Sequence, residues 1–286
     1  MATLTEAIAA LERLPALPAT STRLIAMLAG GGRDAELDEV ESVVRRDEAV
    51  AAAVLRLANS VSHGRAGRVF GLHEAIRRLG ARTLCRIALE TQVSGFLANG
   101  GRSYGLRRGA LSQAALGGAI AADLLARHHG ANAEHCFTAA LLRDIGKLAI
   151  DAIAGPEALD ALAALDDGRP FLELEREAFG ADHAMLGAML CERWHLPEEL
   201  VAAVRGHHLP PSSPAEPVTD IVHAADCVAR WAGLGLGCDG LLHPFDPGAR
   251  ERLGTSRPEL EAIVADVLSA VAPFDARSNQ PLGRTA

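Results

Sequence analysis

The sequence offers little from which to build a disulfide framework, an aromatic core or a membrane span. Its five cysteines, Cys85, Cys136, Cys191, Cys227 and Cys238, are odd in number, widely spaced and free of any C-x-x-C pair, which argues against a stapled secreted scaffold and against a paired redox motif. Aromatic residues make up only 3% of the chain, so a core has to be packed from alanine and leucine, the residues that favour helices. No uncharged apolar run reaches the roughly 18 residues that a span needs, and the best Ala/Gly-rich stretch, LSQAALGGAIAAD, is closed by Asp123. The N-terminus also lacks a basic segment followed by an apolar one. Together these absences predict a cytoplasmic chain with reduced thiols and no membrane partner.

Positive charge is short as well. A formal net charge of -8 argues against a general role on nucleic acid, whose phosphates require a basic face to displace counterions. No internal repeat, glycine-rich phosphate loop or serine nucleophile motif is recognisable, nor is a receiver, kinase or GGDEF-like segment. The expectation is a stand-alone module whose input arrives by ligand, partner or expression level.

What the chain does have is 286 residues with 49% hydrophobic content, enough for one large domain or two ordinary ones. In LPALPATSTRLIAML, two prolines and a Ser/Thr cluster announce a helix carrying Leu24, Met27 and Leu28. Asp47 is placed to cap the helix of RRDEAVAAAVLRLANS, with Val50, Val54, Leu57 and Ala58 at helical spacing and Asn59 closing it. Gly80 separates two further helices, the first with Ile76 and Leu79 and the second with Leu84, Ile87 and Thr91. The segment NGGRSYGLRRG, residues 99–109, is rich in glycine and arginine, and reads as the boundary between two halves. Beyond it, helices are predicted over 110–128, 134–150, 156–165, 171–178, 182–193, 197–206 and 216–232, with PPSSPAEP as a loop. Ser256 and Glu259 fit a capping box, with Pro258 tolerated in the first turn, before Leu260, Ile263, Val264, Val267 and Leu268. The last dozen residues are expected to fray.

Within LLRDIGKLAI, Arg143, Asp144 and Lys147 sit in an otherwise apolar segment, and charges are rarely buried without partners. His183, the His207-His208 pair and Asp226 lie in separate predicted helices downstream. A bundle interior hosts metals when carboxylates and imidazoles project inward from facing helices, and the order Asp, His, His-His, Asp suits such a set.

At this point the chain resembles the HDOD branch of the HD superfamily, from about residue 11 to 235. The resemblance is carried by LPALP, RRDEAVAAAVLRLANS, EAIRRLGARTL, LLRDIGKL, DHAMLGAMLCERWHLPEELVAAVRGHH and IVHAADCVAR, in that order. It implies an all-α protein: an N-terminal helical bundle over 1–105, packed on an HD-like helical bundle over 106–235 related to metal-dependent phosphohydrolases, with 236–286 as a loop and helix extension. It also implies a regulatory role through a protein partner, with no catalytic residue of its own.

Carried over by position, the resemblance gives an incomplete site. Ala114 stands where an active relative has its first metal-binding histidine, and Arg143 where it has the histidine of the His-Asp doublet. Asp144 and Asp226 match the two aspartates, His183, His207 and His208 match the further histidines of the two-metal HD-GYP type, and Lys147 matches a lysine that assists phosphate binding there. The implied consequence is that Arg143 supplies by covalent attachment the positive charge a metal would bring between Asp144 and Asp226, without being able to activate water. No cofactor is then expected. One rival is a single divalent ion on Asp144, His183, His207 and His208; another is a nucleotide sensor that uses Lys147 and Arg143; a metal-dependent phosphohydrolase comes last.

Plainer readings stand beside these. Lys147 can snorkel from a helix end, His183 can cap a helix beside Asp182, and His207-His208 can form an exposed helix terminus where imidazolium suits the dipole. His63 and His223 read as ordinary polar residues, and His128-His129 as a helix end. Cys136, Cys191 and Cys227 fall on apolar faces as core packing, and Trp194 anchors a turn. The doublets Arg45-Arg46, Arg77-Arg78 and Arg107-Arg108 are spread over different elements. Arg102, Arg107 and Arg108 in the 99–109 loop are the candidates for contact with a ligand or partner.

Overall fold

The structure, a computed structural model, describes residues 3–14, 19–29, 37–59, 71–154, 162, 168–212, 217–240 and 242–278. Its described residues form helices and no strands. In chain order these are α1 (Leu4–Arg13), α2 (Ala19–Ala29), α3 (Leu37–Arg45), α4 (Glu48–Ala58), α5 (Leu72–Leu79) and α6 (Ala81–Leu97), then a 3-10 turn at Arg102–Tyr104. They continue with α7 (Ala110–His128), α8 (Ala133–Leu142), α9 (Lys147–Ile153), α10 (Phe171–Phe179), α11 (His183–Arg193), α12 (Glu198–Gly206), α13 (Val218–Trp231), α14 (Pro247–Leu253) and α15 (Arg257–Ser278). None of the described helices is long and apolar enough to cross a membrane. The all-α expectation therefore holds.

Local chemistry sets many of the boundaries. Asp47 caps α4 by accepting from the N–H groups of Ala49 and Val50, and Asn59 closes it. Gly80 stands between α5 and α6 with φ +79, a conformation that costs a side-chain residue and that glycine adopts freely. Ser256 donates through its backbone N–H and its hydroxyl to the Glu259 carboxylate at the start of α15. The predictions at 156–165 and over the last residues fall mostly outside the described residues, as do His63 and the Ile76 and Arg77 side chains.

One predicted helix is wrong in a way that matters. Residues 134–150 do not form a single helix: α8 ends at Leu142, residues 143–146 make a tight turn, and α9 begins at Lys147. The reason lies in Gly146, where a Cβ would come 1.9 Å from the His183 carbonyl oxygen and 2.5 Å from the Gly187 nitrogen. The chain bends so that the start of α9 touches the first turns of α11, and only glycine permits that approach.

Helix α7 is the central post. It packs against α8, α13, α15 and α6, and its buried face is built from Ala114, Ala115, Ala119, Ala121, Ala122 and Leu125. Small side chains allow close axial approach, and two glycines carry this further. A Cβ on Gly117 would lie 2.3 Å from Leu234, and one on Gly118 would lie 2.2 Å from Arg143 Nη1. Among the earlier helices, α2, α3 and α4 pack on α6, whereas α1 lies against α9 and α11. Arg193 on α11 fastens α1 by donating to the Leu11 carbonyl.

Candidate functional site

The turn between α8 and α9 delivers Arg143, Asp144 and Lys147 into the interior, each at least 96% buried. Arg143 is among the largest fully buried side chains of the protein. Its Nε donates to Asp226 Oδ1 at 2.8 Å and lies 3.2 Å from Asp144 Oδ2. Nη1 donates to the Ala140 carbonyl at 2.9 Å, and Nη2 to the Ala114 carbonyl at 3.0 Å. A guanidinium thus joins the two aspartates, oriented by two backbone oxygens, and the missing side chain at Gly118 leaves room for it.

The histidines converge on the same point. His183, the first residue of α11, is placed by Asp182, whose side chain accepts from the Met185 N–H. Its Nδ1 contacts Glu175 at 2.7 Å, and its backbone N–H donates to the same carboxylate at 3.0 Å. Tyr104 donates its hydroxyl to Glu175 as well. This leaves His183 Nε2 facing inward, 2.9 Å from His208 Nε2 and 3.6 Å from Asp144 Oδ1. His207 donates Nδ1 to the Val204 carbonyl at 2.6 Å, and its buried Nε2 has no hydrogen-bond partner. Ligand atoms of Asp144, His183, His207 and His208 all lie within 4.8 Å of one another.

Several plain readings fail here. His207 and His208 are 0% and 5% exposed, so the pair is no exposed helix terminus. Lys147 does not snorkel: its Nζ lies 3.0 Å from Asp144 Oδ1 and 2.9 Å from Asp239 Oδ2. His223 is no ordinary polar residue either. It is fully buried, donates Nδ1 to the His207 carbonyl at 2.7 Å and accepts from the Asp246 N–H at 2.8 Å. By contrast, His129 is the C-cap of α7 as expected, Cys136, Cys191 and Cys227 are buried, and Trp194 ends α11 against Phe96.

The site contains residues that sequence reasoning missed. Arg230, four residues after Asp226 on α13, donates Nη2 to Asp226 Oδ2 and to His208 Nδ1 at 3.2 Å. Asp239 and His243 come from the segment after α13. Asp239 pairs with Lys147, and His243 stacks on His208 with ring centroids 3.7 Å apart. The i,i+4 spacing of Asp226 and Arg230 is a signal the sequence carries; Asp239 and His243 sit in a loop without periodicity. Arg102, Arg107 and Arg108 are exposed and lie outside the cluster. Their loop is nevertheless tied to it, since Asp151 accepts from the N–H groups of Gly101, Arg102 and Ser103, while Tyr104 reaches Glu175.

Electrostatically the site combines three cations, Arg143, Lys147 and Arg230, with four carboxylates, Asp144, Asp226, Asp239 and Glu175. Burial opposes ionisation of Asp144, but Lys147 and Arg143 hold its pKa well below the carboxylate range. Asp226 is likewise lowered, Arg230 and Arg143 overcoming its burial. Burial pushes His207 down to about 4 and, together with His207 and His243, pushes His208 well below its ordinary value. His183 goes the other way, because Glu175 outweighs the effect of burial.

As a ligand set for a metal, these residues fit in part. His183 and His207 each have Nδ1 committed to a carboxylate or carbonyl acceptor, which orients Nε2 for a metal, and His207 Nε2 lacks a hydrogen-bond partner, whereas Asp144 Oδ1 is already met by Lys147 Nζ at 3.0 Å. His208 does not fit in the same way. A neutral imidazole that accepts from Arg230 at Nδ1 carries its proton on Nε2, the atom that would have to ligate.

Comparison with known proteins shows the family and the fold. The family model described as HDOD domain matches residues 14–210. An HDOD domain protein with unknown function from Geobacter sulfurreducens is similar in structure with a TM-score of 0.73 and 26% identity, the match covering 96% of each chain. A protein of Marinobacter aquaeolei VT8, provisionally assigned to signal transduction, has a TM-score of 0.72 at 20% identity, covering 96% of this chain and 64% of that one; at that identity the likeness is one of fold. An uncharacterized protein of Treponema pallidum (strain Nichols) is 28% identical over 204 residues, which are 69% of this chain and 39% of the relative. This chain therefore spans about two fifths of the length of that curated relative.

Proposed function

This chain belongs to the HDOD family, and from that premise we propose that it is a non-catalytic signalling protein that acts by engaging a regulatory protein partner. The observation that carries the reading is the Arg143 guanidinium, 2.8 Å from Asp226 and 3.2 Å from Asp144. A guanidinium neutralises paired carboxylates and holds their geometry. It offers no open coordination position, does not lower the pKa of a bound water, and cannot bridge the attacking and leaving oxygens of a displacement. A site with this residue between its aspartates keeps its shape and loses its hydrolytic chemistry. In this proposal residues 1–105 form the N-terminal bundle, 106–235 the HD-like bundle and 236–286 the extension. The exposed Arg102, Arg107 and Arg108, on the loop bound by Asp151 and Tyr104, are the residues proposed to contact the partner.

Crosslinking and affinity capture from the native cell test the reading. A specific partner, recovered with the wild-type chain and lost with Arg102, Arg107 and Arg108 replaced by alanine, is the expected result. Phosphodiesterase turnover that disappears with Asp144→Ala overturns it.

A second reading rests on His207 Nε2, which is buried without a hydrogen-bond partner, and on Asp144 Oδ1, 3.6 Å from His183 Nε2. A single divalent ion would be held by Asp144, His183 and His207, and would supply Lewis acidity there when bound; His208 joins only if Arg230 releases it. Elemental analysis of protein purified without added metal checks this, one ion per chain supporting it. The nucleotide-sensor reading is favoured less, because Arg143 is buried and held by both Asp144 and Asp226.

A further inference from the structure

Residues 232–240 and 242–246, which follow α13, cross the site as a strap. It carries glycines at 233, 235, 237 and 240, three of them with clearly positive φ of 78, 66 and 35 degrees. Two of its side chains reach the interior cluster: Asp239 is 2% exposed with Oδ2 at 2.9 Å from Lys147 Nζ, and His243 stacks on His208. Leu234 adds an apolar foothold against Gly117, and the Cys238 N–H donates to the Tyr104 carbonyl. The strap also exposes Leu236 and Leu242, 47% and 50% accessible, beside Trp231 at 46%.

Two buried polar atoms in this region have no hydrogen-bond partner: Arg230 Nη1, on a side chain 93% buried, and Asp239 Oδ1. Asp239 acts electrostatically on both Lys147 and Arg230. An orphaned guanidinium nitrogen on a side chain within electrostatic reach of a paired ammonium is a donor set for an oxyanion, since fixed N–H groups and positive charge are what such a group requires. Without Asp239, the remaining cluster has Arg143, Lys147 and Arg230 against Asp144, Asp226 and Glu175. The strap carboxylate is thus the fourth negative group, supplied from a loop rather than from the helical frame.

We propose that Asp239 on this strap is a displaceable plug: it occupies in cis an oxyanion site made by Lys147, the position that the family resemblance already marks for phosphate, and by Arg230. An incoming oxyanion replaces the Asp239 carboxylate on Lys147, satisfies Arg230 Nη1, and frees the strap with its exposed leucines. This goes beyond the role assigned to Arg143 and does not depend on it. It gives the site a ligand of negative sign, where the histidine and aspartate set suggests a metal cation.

The test uses the full chain in the presence of chelator, titrated separately with acetate, inorganic phosphate and pyrophosphate. The variants are wild type, Asp239→Asn, and Asp239→Asn combined with Lys147→Met, which removes both partners of the pair. Asp239→Asn is expected to bind at least one of the three anions tenfold or more tightly than wild type, and the double variant to lose that gain; whichever anion responds identifies the group recognised. Affinity unchanged by Asp239→Asn, or a gain that survives Lys147→Met, overturns the proposal, as does binding that appears only when divalent metal is restored. Hydrogen exchange on the unmutated protein covers the case in which the variants fail to fold: the amides of 233–240 exchange faster with the bound anion if the strap is displaced, and unchanged exchange at saturation refutes displacement.

Discussion

Replacing Gly118 with alanine probes the guanidinium directly, because the two share one space. A Cβ at this position would lie 2.2 Å from Arg143 Nη1 and 2.8 Å from Cζ, so the guanidinium has to retreat by about 1 Å to reach ordinary contact. It has nowhere to go without loss, since Nε is committed to Asp226, and Nη1 and Nη2 to the carbonyls of Ala140 and Ala114. Breaking one partner out of a buried ion pair costs about 3–5 kcal/mol. Alanine in a helix interior regains roughly 0.5–1 kcal/mol over glycine. The net expectation for Gly118→Ala is a destabilisation of roughly 2–4 kcal/mol, measured by equilibrium urea unfolding. In an Arg143→Met background the clash is gone, and the same substitution is expected to stabilise by up to about 1 kcal/mol. The coupling energy of this double-mutant cycle is therefore roughly 3–5 kcal/mol, well above the few tenths expected of independent sites. Equal effects of Gly118→Ala in both backgrounds would refute the placement of the guanidinium against α7.

Two further predictions concern pH. Burial pushes Glu90 up to about 7 from an ordinary 4.5, so the folded state holds a proton that the unfolded state releases; stability is fully present below pH 4.5 and is lost as pH rises through 7. Glu90→Gln removes that loss, raising stability at pH 8 by up to about 3 kcal/mol at roughly 1.4 kcal/mol per pKa unit, and an unchanged unfolding free energy at pH 8 would contradict it. His207 has the opposite sign: burial holds its imidazole near 4 against an ordinary 6.5, so its contribution is intact above pH 6.5 and is lost as pH falls from there towards 4. His207→Gln is expected to flatten the thermal-stability profile over that window, and a profile as steep as that of the wild type would count against a buried neutral His207.

Much of the frame was legible because its signals are local. Asp47, Asn59, Gly80 and the Ser256-Glu259 pair act within one turn of chain, and they end helices where side-chain chemistry dictates. The break at 143–146 was not legible, since it depends on a Cβ that would collide with the backbone of α11, a contact between segments about 40 residues apart. The same holds for the site. Arg143, Asp144, Lys147, His183, His207, His208 and Asp226 were found by motif order, and the fold gathers them. Glu175, Asp239, His243 and His223 were missed because their roles exist only once α10, the strap and the α13 face are brought together. Arg230 is intermediate, as its helical spacing from Asp226 was readable but its contact with His208 was not. Burial was the quantity most misjudged: a His-His pair just before a proline-rich loop looks solvated in sequence, yet the strap and α13 cover it.

Arg143 lies as a fixed cation between Asp144 and Asp226, and metal stoichiometry tests most directly whether it stands in place of an ion. Wild type and the double variant Ala114→His with Arg143→His are loaded with manganese or zinc, desalted and measured by elemental analysis beside protein concentration. Wild type is expected to retain at most one ion per chain, and the variant to retain at least one more. Two ions retained by the wild-type chain would contradict the account, because the guanidinium and a second metal cannot occupy the same place.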